Sequence, residues 1–225
     1  MMALKDWADG ELLTPATMNE LTSSMNMRFS SAAARDALLV GSLAPVAGMT
    51  VFMLDTNMAL TYVVVGGNGY WAPQPYTLCF FARQAAAQGL GANTYAAITG
   101  YTVADYGGRN FGNWFDVTTG KFTPKVPGVY ELLGGMSMAN GPSGSTYAQR
   151  AGFRMNGTGA AAFSLYSENR QAISSDVPVS FDVRQFLLAM NGTTDYVELV
   201  ANAANVTNTS TGAQAPVFGA KYMGQ

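Results

Sequence analysis

A mainly β protein is predicted by three features of the sequence. After Gly128, the side chains of Tyr130, Leu132, Met136 and Met138 fall on one side of an extended run, the period of two that belongs to strands. Just before it, Val117-Thr118-Thr119-Gly120 reads as a tight turn between two β-rich runs, because Gly120 can take the positive φ of such a corner. Phe115 and Phe122 flank that turn, Pro124 and Pro127 bracket a short connection, and Asn156-Gly157 and Asn191-Gly192 are turn dipeptides ending later runs.

Composition narrows the function classes. With 225 residues the chain can hold one large β domain, or a medium one with an N-terminal appendage. Only 12% of residues are charged, about half the usual share. Such a surface either contacts a partner or is solvated by Ser, Thr, Asn and Gly. Hydrophobic residues make up 48%, which excludes intrinsic disorder, and no apolar run reaches membrane-spanning length, so no membrane insertion is expected. A net charge of -2 gives no electrostatic reason to bind nucleic acid. The single cysteine, Cys79, excludes an intramolecular disulfide and reads as an apolar strand residue rather than a nucleophile. Zero histidines remove Ser-His-Asp triads and the usual zinc sites. Acids and a tryptophan in Met1-Met-Ala-Leu-Lys-Asp-Trp7 stand where a signal peptide needs an apolar run, so secretory export is not expected.

Three segments follow in order. Residues 1–40 read as a helical adaptor: Thr14-Pro15 supplies a cap, Thr17 and Glu20 have capping-box spacing, and Met18, Leu21, Met25 and Phe29 line one docking side. A second short helix is expected over 31–39. Residues 41–74 read as a small β-hairpin module, with strands over 49–54 and 59–65 around Asp55-Thr-Asn57 and a turn at Gly66-Gly-Asn-Gly69 before Tyr70-Trp71. Pro73 and Pro75 mark the boundary to the main β domain, 75–225. There, strands are expected over 77–83, 95–103, 148–155, 160–167 and 179–190, with 84–92 a flexible loop.

The residues Trp114 to Met138, with Phe115, Gly120, Phe122, Pro127, Gly128 and Tyr130 in that order, resemble the central signature of the complement-one-q globular head and its tumour-necrosis-factor-like relatives. Phe186, Gly192, Tyr196, Phe218 and Gly219 are similar to that family's late pattern of strand, Gly turn, strand and closing Phe-x-Gly strand. The resemblance implies a trimer-forming jelly-roll β-sandwich, with these residues in the core or at subunit contacts. An insert over 202–215 and the lack of a Gly-X-Y collagen stalk depart from the family and weigh against a complement or cytokine-like role. Independently, Asp9-Gly-Glu-Leu-Leu-Thr-Pro15, Met18-Asn-Glu-Leu21, Arg28, Arg35-Asp36, Pro45-Val-Ala-Gly-Met49, Asp55 and Tyr70-Trp71 resemble the N-terminal module of minor tail and fibre-type proteins of tailed bacteriophages.

Catalytic constellations are missing. Asp116, Glu131, Asp176, Asp182, Asp195 and Glu198 are scattered, with no pair placed for glycoside hydrolysis, and no enzyme is expected. Asp116 stands apart, since it can order the central turn through an Asx-type bond. No cofactor and no metal are expected; relatives sometimes hold calcium on loop carboxylates, but no EF-hand-like spacing is present. Tyr106, Trp114, Tyr147 and Tyr166 lie near loops and are the candidate stacking rings for a host cell-surface glycan. The two resemblances together imply a homotrimeric phage virion protein assembled in the host cytoplasm, docked through its N-terminal segment on tail or baseplate proteins. Its jelly-roll loops would bind the host, each site weak and the three strong together. The other class is a purely structural tail or capsid decoration subunit.

Overall fold

The computed structural model describes residues 27–75, 77–103, 110–138, 146–157, 163–172, 179–203 and 207–224. The expected adaptor residues Met18, Leu21 and Met25 therefore lie outside the described residues. The chain divides into two compact units, Met1–Pro73 and Gln74–Gln225. Among the described residues the protein is mainly β, with one α-helix.

The first unit is a four-stranded sheet in the order β1-β2-β3-β4 with a helix. Its strands are β1 (Met27–Phe29), β2 (Thr50–Met53), β3 (Met58–Val65) and β4 (Asn68–Pro73), and α1 spans Ala32–Leu38. The helix begins where the Ser31 hydroxyl accepts a hydrogen bond from the Ala34 N–H at 3.2 Å. The two hairpins appear where the turn residues lie, closed by Asn57 in the left-handed region and by the pair Gly66-Gly67. Phe29 corrects the helical expectation. It pairs in parallel with Met53 as part of β1, and its ring is buried with Val51, Met53, Met58 and Leu60, because the backbone of 27–29 finds its hydrogen bonds on the open edge of β2.

Arg35 joins the helix to the sheet. Its guanidinium lies 5.0 Å from the Trp71 ring centroid, and Trp71 in turn packs at 5.1 Å on Tyr62. Arg35 is buried, and its Nη2 pairs with Asp36 at 2.7 Å. A cation over an indole in a dry setting contributes about 1–2 kcal/mol. Replacing Arg35 by Ala should lower the unit's stability by about that amount, through lost stem packing as well as lost charge, read by a chemical denaturation midpoint.

The second unit contains two antiparallel sheets. The first has the order β14-β11-β17-β5-β8, built from β5 (Thr77–Gln84), β8 (Tyr101–Thr102), β11 (Gly128–Met138), β14 (Val179–Met190) and β17 (Val217–Gly224). The second has the order β13-β12-β15-β10-β9, built from β9 (Phe115–Asp116), β10 (Lys121–Phe122), β12 (Thr146–Met155), β13 (Phe163–Ala172) and β15 (Val197–Ala203), with β7 (Ala96–Ala97) also on β15. A two-stranded pair joins β6 (Gly89–Leu90) to β16 (Thr207–Asn208).

The sheets face each other across an aromatic core. Phe80 of β5 stacks on Phe115 of β9 at 4.1 Å and 9°, and meets Phe122 of β10 at 4.9 Å and Phe218 of β17 at 5.0 Å. On β11, Tyr130, Leu132, Met136 and Met138 are all buried, as their alternation requires. Gly134 lies among them, where a Cβ would stand 2.8 Å from the Phe153 ring and 3.2 Å from Leu199, so its missing side chain lets the opposite sheet close in.

Three expectations change. The strand expected over 95–103 is two short strands in different sheets, β7 on β15 and β8 on β5, because the chain turns at Gly100 after Ile98 has bonded Leu199. The loop expected over 84–92 contains β6. The insert over 202–215 begins as the last residues of β15 and then supplies β16 to pair with β6.

Strand register gives the sandwich two distinct ends. The start of β5, the end of β17, the start of β11, the end of β14 and the start of β15 lie together, with Gly192 against the Val126–Pro127 backbone. The opposite end carries the end of β5, the end of β11, the end of β15 and the start of β17, together with the segments 85–95 and 207–216.

Candidate functional site

Of the four candidate sugar-stacking rings, Trp114 is corrected by the structure. It is buried at 6% exposure, with the Phe111 ring edge-on at 4.5 Å and Tyr130 at 6.4 Å. The cause is local: Gly112 and Asn113 both take positive φ, which folds the chain back so that Gly112 covers the indole. Tyr106 lies outside the described residues. Tyr147 and Tyr166 belong to strands, opposite Gln171 and Gly152, and their side chains lie outside the described residues, as does that of Phe186.

The signature residues gather around the aromatic core. Phe115, Phe122, Tyr130 and Phe218 are buried, and the Tyr130 hydroxyl donates to the Val126 carbonyl at 2.7 Å. Gly120 sits at φ 73° with a Cβ position 2.1 Å from the Ile98 carbonyl oxygen, so both its conformation and its surroundings require glycine. Gly128 and Gly192 also take positive φ, Pro127 is half-buried, and Gly219 lies beneath the Phe81 ring. Tyr196 is half-buried, with the Lys121 ammonium 4.3 Å above its ring.

Each of the scattered acids whose side chain is described has a polar partner. Asp116 orders the central turn: its Oδ1 accepts from the Thr118 and Thr119 amides at 2.8 and 3.2 Å, and its Oδ2 from the Thr119 hydroxyl at 2.7 Å. Glu198 receives two bonds from Arg154, both 3.0 Å, and Glu131 pairs with Lys221 at 3.3 Å on the first sheet. Asp195 bridges two turns, accepting from Asn156 Nδ2 at 3.0 Å and from the Asn191 amide at 2.8 Å. Cys79 is buried, and desolvation pushes its thiol up to about 12, so no thiolate forms near neutrality. Among the described residues no group of three or more His, Cys, Asp or Glu side chains is placed to hold a metal ion.

A polar cluster that sequence reasoning missed lies at the end of the sandwich opposite Thr77. Gln84 is buried; its Nε2 donates to the Thr99 carbonyl at 3.0 Å and to Gln88 Oε1 at 3.1 Å, while its Oε1 accepts from the Thr209 hydroxyl at 2.6 Å. Gln88 continues the chain, donating from Nε2 to the Ala97 carbonyl at 2.8 Å and accepting from the Thr99 amide at 2.9 Å. The Thr209 hydroxyl also accepts from the Gln88 amide at 2.8 Å. These bonds hold 85–99 and 207–211 in one arrangement where little sheet pairing is available. Two glutamines four apart in an Ala/Gly run carry no sequence signal for this, since Thr209 is 125 positions from Gln84.

Two outcomes test this reading of the polar groups. Gln84→Leu should cost about 1–3 kcal/mol, because it leaves the buried Thr209 hydroxyl without its acceptor and the Thr99 carbonyl without this donor. Tyr101→Phe should be neutral or mildly stabilising, because the buried Tyr101 hydroxyl has no partner among the described residues. Melting curves of the two variants distinguish a satisfied network from an orphaned group.

Asp116 supplies a pH signature. The Thr119 hydroxyl bond, with the Thr118 and Thr119 amides and Lys121, holds its carboxyl below the usual carboxylate range against the opposing effect of desolvation. A depressed folded value means that its stabilisation is complete above the ordinary carboxylate pKa of about 3.9 and is lost as pH falls below it. The Thr118 and Thr119 amide resonances should therefore shift only in acid, and Asp116→Ala should abolish that shift.

Comparison with known proteins adds no relative from which a site could be transferred: no protein-family model matches this chain, and no curated protein is significantly similar to it.

Proposed function

We propose that this chain is a trimeric minor tail or fibre-tip component of a phage virion, docked on the particle through its N-terminal segment and binding the host surface through a C-terminal jelly roll. The strand orders β14-β11-β17-β5 and β13-β12-β15-β10 support the jelly-roll reading, since the chain passes repeatedly from one sheet to the other and sequence neighbours seldom pair. In the first unit, the meeting of Arg35 with Trp71 gives the phage-module resemblance a physical basis, because two of its motif pieces pack on each other.

The observation that carries the trimer is the outer face of the first sheet. Opposite the buried side, its strands present Leu78 and Phe81 on β5, Val129 and Leu133 on β11, and Leu187 on β14. Leu187 is 64% exposed, and among the described residues it is the second unit's most exposed large apolar side chain. The Phe81 ring lies over Gly219, flattening this face, and the Glu131–Lys221 pair leaves it without net charge at that row. An apolar row of this kind suits burial against copies of the same chain, and the register also brings Arg83 opposite Val217 and Asp182 and Arg184 opposite Gly135 and Leu133 beside it.

Sedimentation of the purified full chain should give the mass of three chains, and Leu187→Glu should shift it toward the monomer. A monomeric parent at high concentration refutes the trimer. Particles whose chain lacks 74–225 should assemble but adsorb poorly to the host; normal adsorption refutes the receptor role.

A further inference from the structure

The sandwich has two ends, and the chain enters it at one of them. The chain enters the second unit at Thr77, and β17 finishes at the same end, where Gly224 lies beside Pro75. Among the described residues, 85–95 and 207–216 lie at the opposite end, beside the ends of β11 and β15. No residue of 85–94 or 208–214 is charged, and their one large apolar side chain, Leu90, is buried. Their exposed polar side chains are Asn93, Thr94, Asn208, Thr211 and Gln214, set among exposed alanines and glycines and beside the half-buried ring of Tyr95. Arg83, near the end of β5, is half-buried and donates from Nη1 to the Gly212 carbonyl at 3.1 Å.

This end is also held rigid in advance. The Gln84–Gln88–Thr99–Thr209 bonds, the Asn93 amide on the Ala203 carbonyl at 2.7 Å and the Thr209 amide on the Gln88 carbonyl at 2.9 Å fix the exposed segments from beneath. A ligand there does not have to order the loops it touches.

We infer that the end built on Gln84, Gln88 and Thr209 is the recognition end of this protein, and that it takes an uncharged, hydroxyl-rich ligand, a neutral glycan. This rests on the receptor reading above and names its surface and ligand class. An anionic sugar would lose its hydration there without meeting an opposite charge, whereas a neutral one exchanges water for amide and hydroxyl partners. An apolar peptide finds no exposed large side chain in these segments. One such contact is weak, and three copies presented together raise the apparent affinity.

The test is binding of the full-length protein to an array that carries neutral hexose and N-acetylhexosamine glycans beside uronate, sialic-acid and phosphate-bearing ones. Neutral glycans should be captured. Thr94→Arg and Gln214→Arg, each placing a long cation on this end, should weaken capture about tenfold or more, while Lys125→Glu at the end where the chain enters leaves it unchanged. Melting curves of the three variants establish that they are folded. Capture of acidic glycans alone, or loss with Lys125→Glu while both arginine variants bind as the parent does, overturns this inference and leaves the receptor reading standing. No capture of any glycan by the parent overturns both.

Discussion

The contact between the Phe80 and Phe115 rings, one from each sheet of the second unit, is the constraint on which the rest of that unit depends. Phe122, Phe218, Tyr101 and Phe153 pack around it at ring separations of 4.9 to 5.6 Å, drawn from strands that lie far apart in the sequence. Aromatic rings bury large apolar areas and favour offset or edge-on geometry, so one cluster supplies both cohesion and alignment between the two sheets. No disulfide supports it, since Cys79 is the only cysteine. The glycines that approach the cluster follow from it: Gly134 leaves room for Phe153, and Gly120 lets the central turn press against Ile98.

Away from this cluster, polar groups do the specifying. Asp116 shapes the central turn, Asp195 and Asn191 tie together the turns at the end where the chain enters, and Gln84 with Gln88 organises the opposite end. Each group has a hydrogen-bond partner, and in a buried setting that is what makes a polar residue tolerable. The consequence is a sandwich whose two ends are rigid but chemically unlike. One carries Lys125 and Asp195, and the other presents only neutral groups along 85–94 and 208–214. Its outer sheet face is unlike either, with Leu78, Phe81, Val129, Leu133 and Leu187 beside the Glu131–Lys221 pair.

Much of the strand content was legible because burial on one side of a sheet writes itself into the sequence with a period of two. The run over 179–190 coincides with β14, and 77–83 with β5 to within a residue. Tyr130, Leu132, Met136 and Met138 face inward as their spacing demands, and the side chain of Asp116 bonds the turn that it flanks. Trp114 was misread because an aromatic beside Gly and Asn looks like a loop ring; the positive φ of Gly112 and Asn113 turns it into the core instead. Residues 95–103 look like one strand because periodicity does not report which sheet a residue joins. Phe29 continues a helical spacing by sequence, yet the open edge of β2 captures its backbone.

By itself the sequence determined the mainly β class of the protein and the inward side of β11, since alternation and turn-forming residues are local properties. It also excluded histidine chemistry and internal disulfides by composition alone. Only the tertiary structure decided which strands share a sheet, that Arg35 meets Trp71, and that Gln84 finds Thr209 across 125 positions. Those choices depend on contacts between distant segments, whose energies no local window contains, and they separate a neutral, prearranged end of the sandwich from the one where the chain enters.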